Sequence, residues 1–420
     1  MTILVLHKSN ASRRRHLARA AEYAKENGER LLLLVKDPTW ENEFADVVLS
    51  VDTSDIKATV AAVRDLAASE PEPIRAVAAF VGHSVPAAAA VASELGLPFI
   101  SEHAAHTVRD KYAMRRAFDS ENIPQPVYGL ARTVEEALTQ SARIGFPLVM
   151  KPLVDNDTGY LRRVDDIDEL TEHFATIQRG AWAGIEHNPL YEWAINEYDY
   201  AIILEQYLPG AEISVESIVV DGQAHVIAIH DKPLPATGPY FADVHYTTPS
   251  RLPVEVQQRV IELVAAAHRA IGMEMGATHT EFRIQEDGTP KILETAARIG
   301  GGPVYQSVLL STGVDLVTAV LDIASGRKPD LSPRPEPTPT GFYLFFAERA
   351  GRISAITGVQ EAALNPHVHE LSLYRKVGDT VDVPPHVWQS LGHVIFTADS
   401  SDGLVRTFNE LVKSINLELE

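Results

Sequence analysis

The segment HTEFRIQEDGTPKILETAARIGGG, from His279 to Gly302, admits few folds. Two strand-forming runs flank Asp287-Gly288, a pair that favours the tight turn of a β-hairpin. Taken as a two-residue turn, it sets Glu286 opposite Thr289. The same register carries Glu281 opposite Glu294 and His279 opposite Ala296, all on one face. Phe282, Ile284 and Leu293 fall on the other face, which suits a core. Like charges directly opposed across a strand pair are destabilising. A hard divalent cation with oxygen ligands, such as Mg²⁺, reverses that sign. Arg298 lies four residues beyond Glu294, and Gly300, Gly301 and Gly302 leave backbone N–H groups open to an anion. A carboxylate pair, an arginine and a glycine turn in one stretch point to phosphoryl transfer.

The rest of the chain bounds the fold around this hairpin. Its 420 residues, 45% hydrophobic, suffice for a large core and about two to four domains. The first hundred residues alternate strand and helix signals: TILVLH, RRRHLARAAEYAKENG, RLLLLVK, AVAAFVG, PAAAAVASELG and LPFIS. That alternation predicts a parallel sheet covered by helices. A helix is expected from about Val108 to Asn122, and another after the N-cap Thr133. FPLVMKP reads as a short buried strand. AIILEQYLPGAEISVESIVVDGQAHVIAIHDK reads as consecutive strands broken at Pro-Gly and Asp-Gly turns. VEVQQRVIELVAAAHRAIG is an amphipathic helix. A proline-rich stretch from Lys328 to Gly341 marks a linker, followed by short strands and one closing helix.

Composition narrows the function classes. The formal charge of −20 opposes a nucleic-acid backbone, so no nucleic-acid partner is expected. The chain has no cysteine, which removes disulfides, thiolate metal sites and thiol nucleophiles. No run of about 20 apolar residues is present and MTILVLHKSN lacks the features of a signal peptide, so the expectation is a cytoplasmic protein with no membrane span. HKSNASRRR follows the first strand in place of GxGxxG, which argues against a dinucleotide-binding module.

The hairpin with its two glutamates and an arginine four residues on resembles the ATP-grasp ligases. HTEF…ILETAARIGGG is most similar to the L-amino-acid ligases, which join two amino acids into a dipeptide. The resemblance spans roughly Val108 to Arg327. It implies a multidomain α/β and α+β chain with an ATP-grasp fold. Residues 1–107 would form an N-terminal parallel α/β domain and 108–330 the ATP-grasp region, with a lid subdomain over about 133–210. Residues 331–420 would form a C-terminal, β-rich α+β subdomain. Biotin carboxylases and D-alanine–D-alanine ligases carry an asparagine two residues after the second glutamate, where this chain has Ala296. That difference argues against those two branches.

The resemblance also implies a site. Glu281 and Glu294 would hold Mg²⁺, with Mn²⁺ as an alternative, and ATP would be the nucleotide. Lys111 and Lys151 match the two ATP-contacting lysines. Glu205, Gln206, Tyr207 and Leu208 would frame adenine through their backbone, and Glu212 would bind the ribose hydroxyls. In KPLVDNDTGY, the counterpart of the glycine-rich phosphate loop, Gly159 alone matches clearly. Arg298 and the glycine amides, Gly301 among them, would stabilise the reacting oxyanion, with Gly300 and Gly302 on the substrate side. The long loop IHDKPLPATGPYFADVHYTTPS would cover the substrates. There Lys232 would approach the γ-phosphate, Asp243 would hold a substrate ammonium, and His230 would assist. His279 would back the metal ligands. The implied partners are small amino-acid substrates, with a homodimer as the assembly. Another ATP-grasp chemistry on a different carboxylate, or an ATP-binding protein without turnover, stays open as an alternative.

Overall fold

The computed structural model describes residues 2–154, 160–234, 244–383 and 390–420. The chain opens with β1 (Thr2–Leu6), α1 (Arg14–Glu26), β2 (Arg30–Val35), β3 (Val47–Ser50), α2 (Ile56–Ser69), β4 (Ile74–Ala79) and α3 (Val85–Leu95). Their four strands form the expected parallel sheet, in the order β3-β2-β1-β4. Ile3, Leu4 and Val5 are all fully buried, as continuous apolar runs in a sheet covered on both faces must be. LPFIS, expected as a strand, forms none and joins no sheet; Gly96, at φ +64°, ends α3 just before it. The helix expected over Val108–Asn122 is α5 (Lys111–Ser120), and a short helix that was not expected, α4 (Glu102–Thr107), precedes it. Asp110 divides them by capping α5, its carboxylate accepting from Tyr112 N and Ala113 N.

A four-stranded antiparallel sheet follows, ordered β5-β8-β6-β7. It contains β5 (Tyr128–Ala131), α6 (Val134–Ile144), β6 (Leu148–Lys151), β7 (Arg162–Val164), α7 (Ile167–Ala183), α8 (Glu192–Tyr198) and β8 (Ile202–Gln206). Thr133 caps α6 as its position predicts, accepting from Glu136 N.

Then come β9 (Ala211–Val220), β10 (Gln223–Lys232), β11 (His245–Thr248), α9 (Val254–Ile271), β12 (Gly276–Ile284), β13 (Pro290–Ala296), α10 (Val304–Thr312) and α11 (Leu316–Ala324). The chain closes with β14 (Thr340–Phe345), β15 (Gly351–Thr357), α12 (Val359–Ala363), β16 (Val368–Leu373), β17 (Thr380–Val381), β18 (Gly392–Thr397), α13 (Ser401–Ser414) and β19 (Asn416–Leu419). The described residues of the C-terminal stretch therefore hold two helices and end on a strand, where one closing helix was expected. One eight-stranded sheet, β13-β12-β9-β10-β11-β14-β18-β16, runs across the proline-rich segment, because β14 pairs antiparallel with β11. No single described helix is long and apolar enough to cross a membrane.

The hairpin that opened the sequence reading differs at its turn. Gly288 N donates to Gln285 O, and Gln285 N to Thr289 O, so the loop is one residue longer than a two-residue turn. Glu286 does not face Thr289. The pairs Ile284–Pro290, Arg283–Lys291 and Phe282–Ile292 follow that longer loop. A bulge at Leu293 then shifts the register by one, and Glu281 faces Glu294 after all. Ile292, fully buried, fills the core place expected of Leu293, which is half-buried.

Candidate active site

Strand alternation and register build the site. Along β10, β9, β12 and β13, alternate residues share a face. One row across the strands is His230–Ser214–Glu281–Glu294. The row on one side contains Glu216, His279 and Ala296; the row on the other contains Lys232, Glu212 and Arg283. The opposite face carries Ile213, Val215, Phe282 and Ile292 in the main core. One face of a central sheet is thus a grid of ionisable groups, expensive to bury unless each is paired.

They are paired. Lys232 Nζ lies 2.5 Å from Glu212 Oε1 and 2.8 Å from Glu281 Oε1. Arg283 Nη2 lies 2.6 Å from Glu212 Oε2. Glu212 is therefore locked between two cations and is no solvated turn residue. His279 Nδ1 is 2.5 Å from Glu216 Oε1, and its Nε2 is 3.4 Å from Glu281 Oε1. Burial alone would lower the His279 pKa, but the Glu216 carboxylate outweighs it and raises it to about 9. Both ring nitrogens then donate. Burial would likewise raise the Glu281 carboxyl; Lys232 and His279 hold it well below the ordinary value. His230 is fully buried, bonds Ser307 Oγ through Nε2 at 2.9 Å, and is pushed by burial down to about 4.

A second group joins the β5-β8-β6-β7 sheet to the hairpin. Lys151, at the end of β6, places Nζ 2.6 Å from Glu205 Oε2 on β8. Arg115, on α5, grips the same carboxylate at 2.8 and 3.2 Å, and its Nη2 also donates to Leu293 O at 2.5 Å. Burial would raise the Glu205 carboxyl, but Arg115 and Lys151 hold it at about 2. The Glu205 side chain, expected to matter little, is thus the hub of a buried ionic cluster. Lys111, one helical turn before Arg115, sits 3.7 Å from Glu294 Oε2. Gln206 N donates to Val127 O and Tyr207 N to Pro147 O, while Arg163 stacks on the Tyr207 ring at 4.4 Å and Leu208 is buried.

Arg298 lies beyond β13. It lines one small cavity with Gly82, Arg109, Lys111 and Glu294. A Cβ on Gly82 would sit 3.2 Å from Arg109 Nη1 and 3.7 Å from Arg298 Cγ, so glycine lets both arginines close on the end of β4. Of the three glycine amides expected to be open, Gly300 N is taken: it donates to Glu216 Oε2 at 3.3 Å. Gly301 and Gly302 donate to no described group. Gly302 adopts φ +54°, where glycine carries no steric cost. Asp243 and Gly159 lie outside the described residues.

Sequence reasoning missed Arg115, Glu216 and Arg283. Arg115 had a signal, its place one turn after Lys111 on the same helix face. Glu216 sits in the apolar run ISVESIVV, where a lone acid facing His279 is visible only once β9 and β12 are paired.

Residues 144–305 match the ATP-grasp domain family. The chain therefore contains an ATP-grasp domain. In addition, residues 343–420 match the L-amino acid ligase C-terminal domain 2. The chain is 29% identical over 307 residues to uncharacterized protein y4rH of Sinorhizobium fredii, covering 73% of the chain and 60% of that protein. It is 28% identical over 255 residues to the alanine–anticapsin ligase of Bacillus subtilis, covering 56% of the chain and 51% of the ligase. The chain thus spans roughly half to three-fifths of these relatives' length. In fold it is similar to the L-amino acid ligase of Bacillus licheniformis, with a TM-score of 0.80 at 23% identity over 100% and 98% of the two chains.

The residues present fit a magnesium nucleotide. Glu281 and Glu294 are paired side by side, and no group of three or more ligating side chains occurs among the described residues. Two carboxylates leave most of the coordination sphere to phosphate oxygens and water, which is how Mg²⁺ is usually held at phosphoryl-transfer sites.

Proposed function

We propose that the chain is an ATP-dependent carboxylate–amine ligase that joins two amino acids. The observation that carries this reading is the Glu281–Glu294 pair, flanked by Lys232, Lys111 and Arg298 on the hairpin side and by Lys151 at the lid sheet. Acidic groups for a metal and cationic groups for phosphates meet there. The names of the alanine–anticapsin ligase and of the matched C-terminal family favour amino acids as substrates.

In this reading a substrate carboxylate oxygen attacks the γ-phosphorus of ATP, and ADP leaves. Mg²⁺ at Glu281 and Glu294 would neutralise charge on the phosphates. Lys151 and Lys111 would meet the nucleotide phosphates, Lys232 the transferring group, and Glu212 the ribose. The amine of the second amino acid then attacks the acyl carbon, phosphate departs and the amine loses a proton. Arg298 and the amides of Gly301 and Gly302 would stabilise the oxyanion formed at that step. His279 would orient Glu281 through Nε2.

The test is phosphate release from ATP with Mg²⁺ across pairs of L-amino acids, each also supplied alone, with mass spectrometry of the products. The expected result is release that needs amino acids and a product mass equal to the pair minus water. Tight ATP binding with no release for any pair would overturn the amino-acid reading.

A further inference from the structure

Gly300 is held from both sides by buried charged groups that the proposed mechanism leaves unused. Its N–H donates to Glu216 Oε2 at 3.3 Å, and its carbonyl accepts from Arg13 Nη1 at 2.7 Å. Glu216 is fully buried and Arg13 is 5% exposed. They come from distant parts of the chain: Arg13 ends the short 3₁₀ turn after β1, and Glu216 lies mid-strand in β9. Neither is free to drift. Asn10 caps the turn that carries Arg13 by accepting from Ser12 N, and Arg13 Nη1 lies 3.3 Å from His16 Nε2. Glu216 is tied by its other oxygen to His279. A Cβ on Gly300 would lie 2.5 Å from Val304 Cγ1, 2.9 Å from Glu216 Oε2 and 2.9 Å from His279 Nδ1, so only glycine lets the clamp close. Just past the loop, His16 packs on Tyr305 of α10 at 5.0 Å between ring centroids.

We infer that Glu216 and Arg13 are positioning residues that clamp Gly300 and so fix where Arg298 presents its guanidinium. The physical reason is local. Arg298 leaves the sheet just after β13, and two residues later the backbone would be free to pivot on three glycines. A pivot there displaces a guanidinium tip by ångströms, and a misplacement of about 1 Å can cost roughly a hundredfold in rate. Through His279 the same Glu216 carboxylate also touches Glu281, so the glycine loop and the carboxylate pair are held to one reference point. The buried His245 ring, stacked on Phe408, bonds no described group of the site.

The inference rests on the ligase reading of Arg298, and its test separates the two. Hydrogen exchange on the whole chain with no substrate reads the clamp directly. Exchange of the Gly300 amide is expected to rise at least tenfold in Glu216→Gln and in Arg13→Gln, while β9 and α1 keep theirs. With the amino-acid pair that gives the fastest phosphate release, Glu216→Gln is expected to lower kcat for amide formation about tenfold to a hundredfold, with KM for ATP within about twofold. In an Arg298→Lys background the further loss from Glu216→Gln should largely vanish, because the two act through one group. A merely structural role for Glu216 would raise KM for ATP and add its full effect in that background, and either result overturns the inference. So does faster exchange with unchanged kcat. If Arg298→Ala itself leaves amide formation unchanged, the ligase reading of Arg298 fails instead. Should Glu216→Gln not fold, Arg13→Gln carries the same measurements.

Discussion

Glu205 is buried with two cations within hydrogen-bonding distance, which makes it sensitive to the loss of either. Arg115→Met would leave Lys151 alone against a buried carboxylate and free the Leu293 carbonyl. Breaking a buried pair by removing one partner costs about 3–5 kcal/mol, and with Lys151 still in place we expect the lower end, about 3 kcal/mol, read from urea unfolding. Glu294 behaves differently. Its side chain is 34% exposed and its nearest cation is 3.7 Å away, so Glu294→Gln should change stability by no more than about 0.5 kcal/mol. The same substitution removes one of two proposed metal ligands and should abolish ATP consumption; turnover at the wild-type rate would refute the metal assignment. Arg298→Ala should leave ATP binding measurable by calorimetry while cutting amide formation by about a hundredfold or more, as loss of an oxyanion donor does.

At the scale of elements, the hairpin shows how far a sequence can be read. Asp287-Gly288 announced the turn and the alternation announced the two faces. The pairing of Glu281 with Glu294 followed from assuming a two-residue loop. The loop is longer by one, and Leu293 bulges out to restore the pairing. Nothing local in ILET distinguishes the bulge; its cause lies elsewhere, since Arg115 from α5 takes the Leu293 carbonyl and Pro124 O takes the Ile292 N–H. The same limit hid Glu216 and the buried role of Glu205, whose partners are 63 and 90 residues away. Patterns set by the next few residues were legible, including the Thr133 cap, the parallel sheet and the Asp221-Gly222 turn. Contacts set by packing between elements were not. Gly288, at φ +76°, keeps the longer loop tight, so Gly288→Ala should cost about 1 kcal/mol in a chemical melt while sparing ATP turnover.

Taken whole, the molecule buries several neutral histidines. Burial holds His7, His245 and His268 at about 4, and none of their ring nitrogens has a hydrogen-bond partner among the described residues. Their folded pKa lies below the unfolded value, so the stability they allow is present above about pH 6.5 and is lost as pH falls towards 4. Each such ring is worth up to about 3 kcal/mol across that window. We expect the urea midpoint to fall steeply between pH 6.5 and 4.5, and His268→Leu to flatten that fall; an unchanged profile would contradict the burial.

The sheet that runs across the proline-rich segment has a consequence for how this chain tolerates being shortened. Strand β11 is covered along one side by β14, which arrives from beyond residue 330. Cutting the chain at that point would keep every residue proposed for chemistry. It would also bare a row of main-chain donors and acceptors on β11, a ready template for another copy to add a strand. The C-terminal segment thus acts as an internal blocking strand, and a chain ending at residue 330 should self-associate before it can turn over ATP, with light scattering as the measurement that decides.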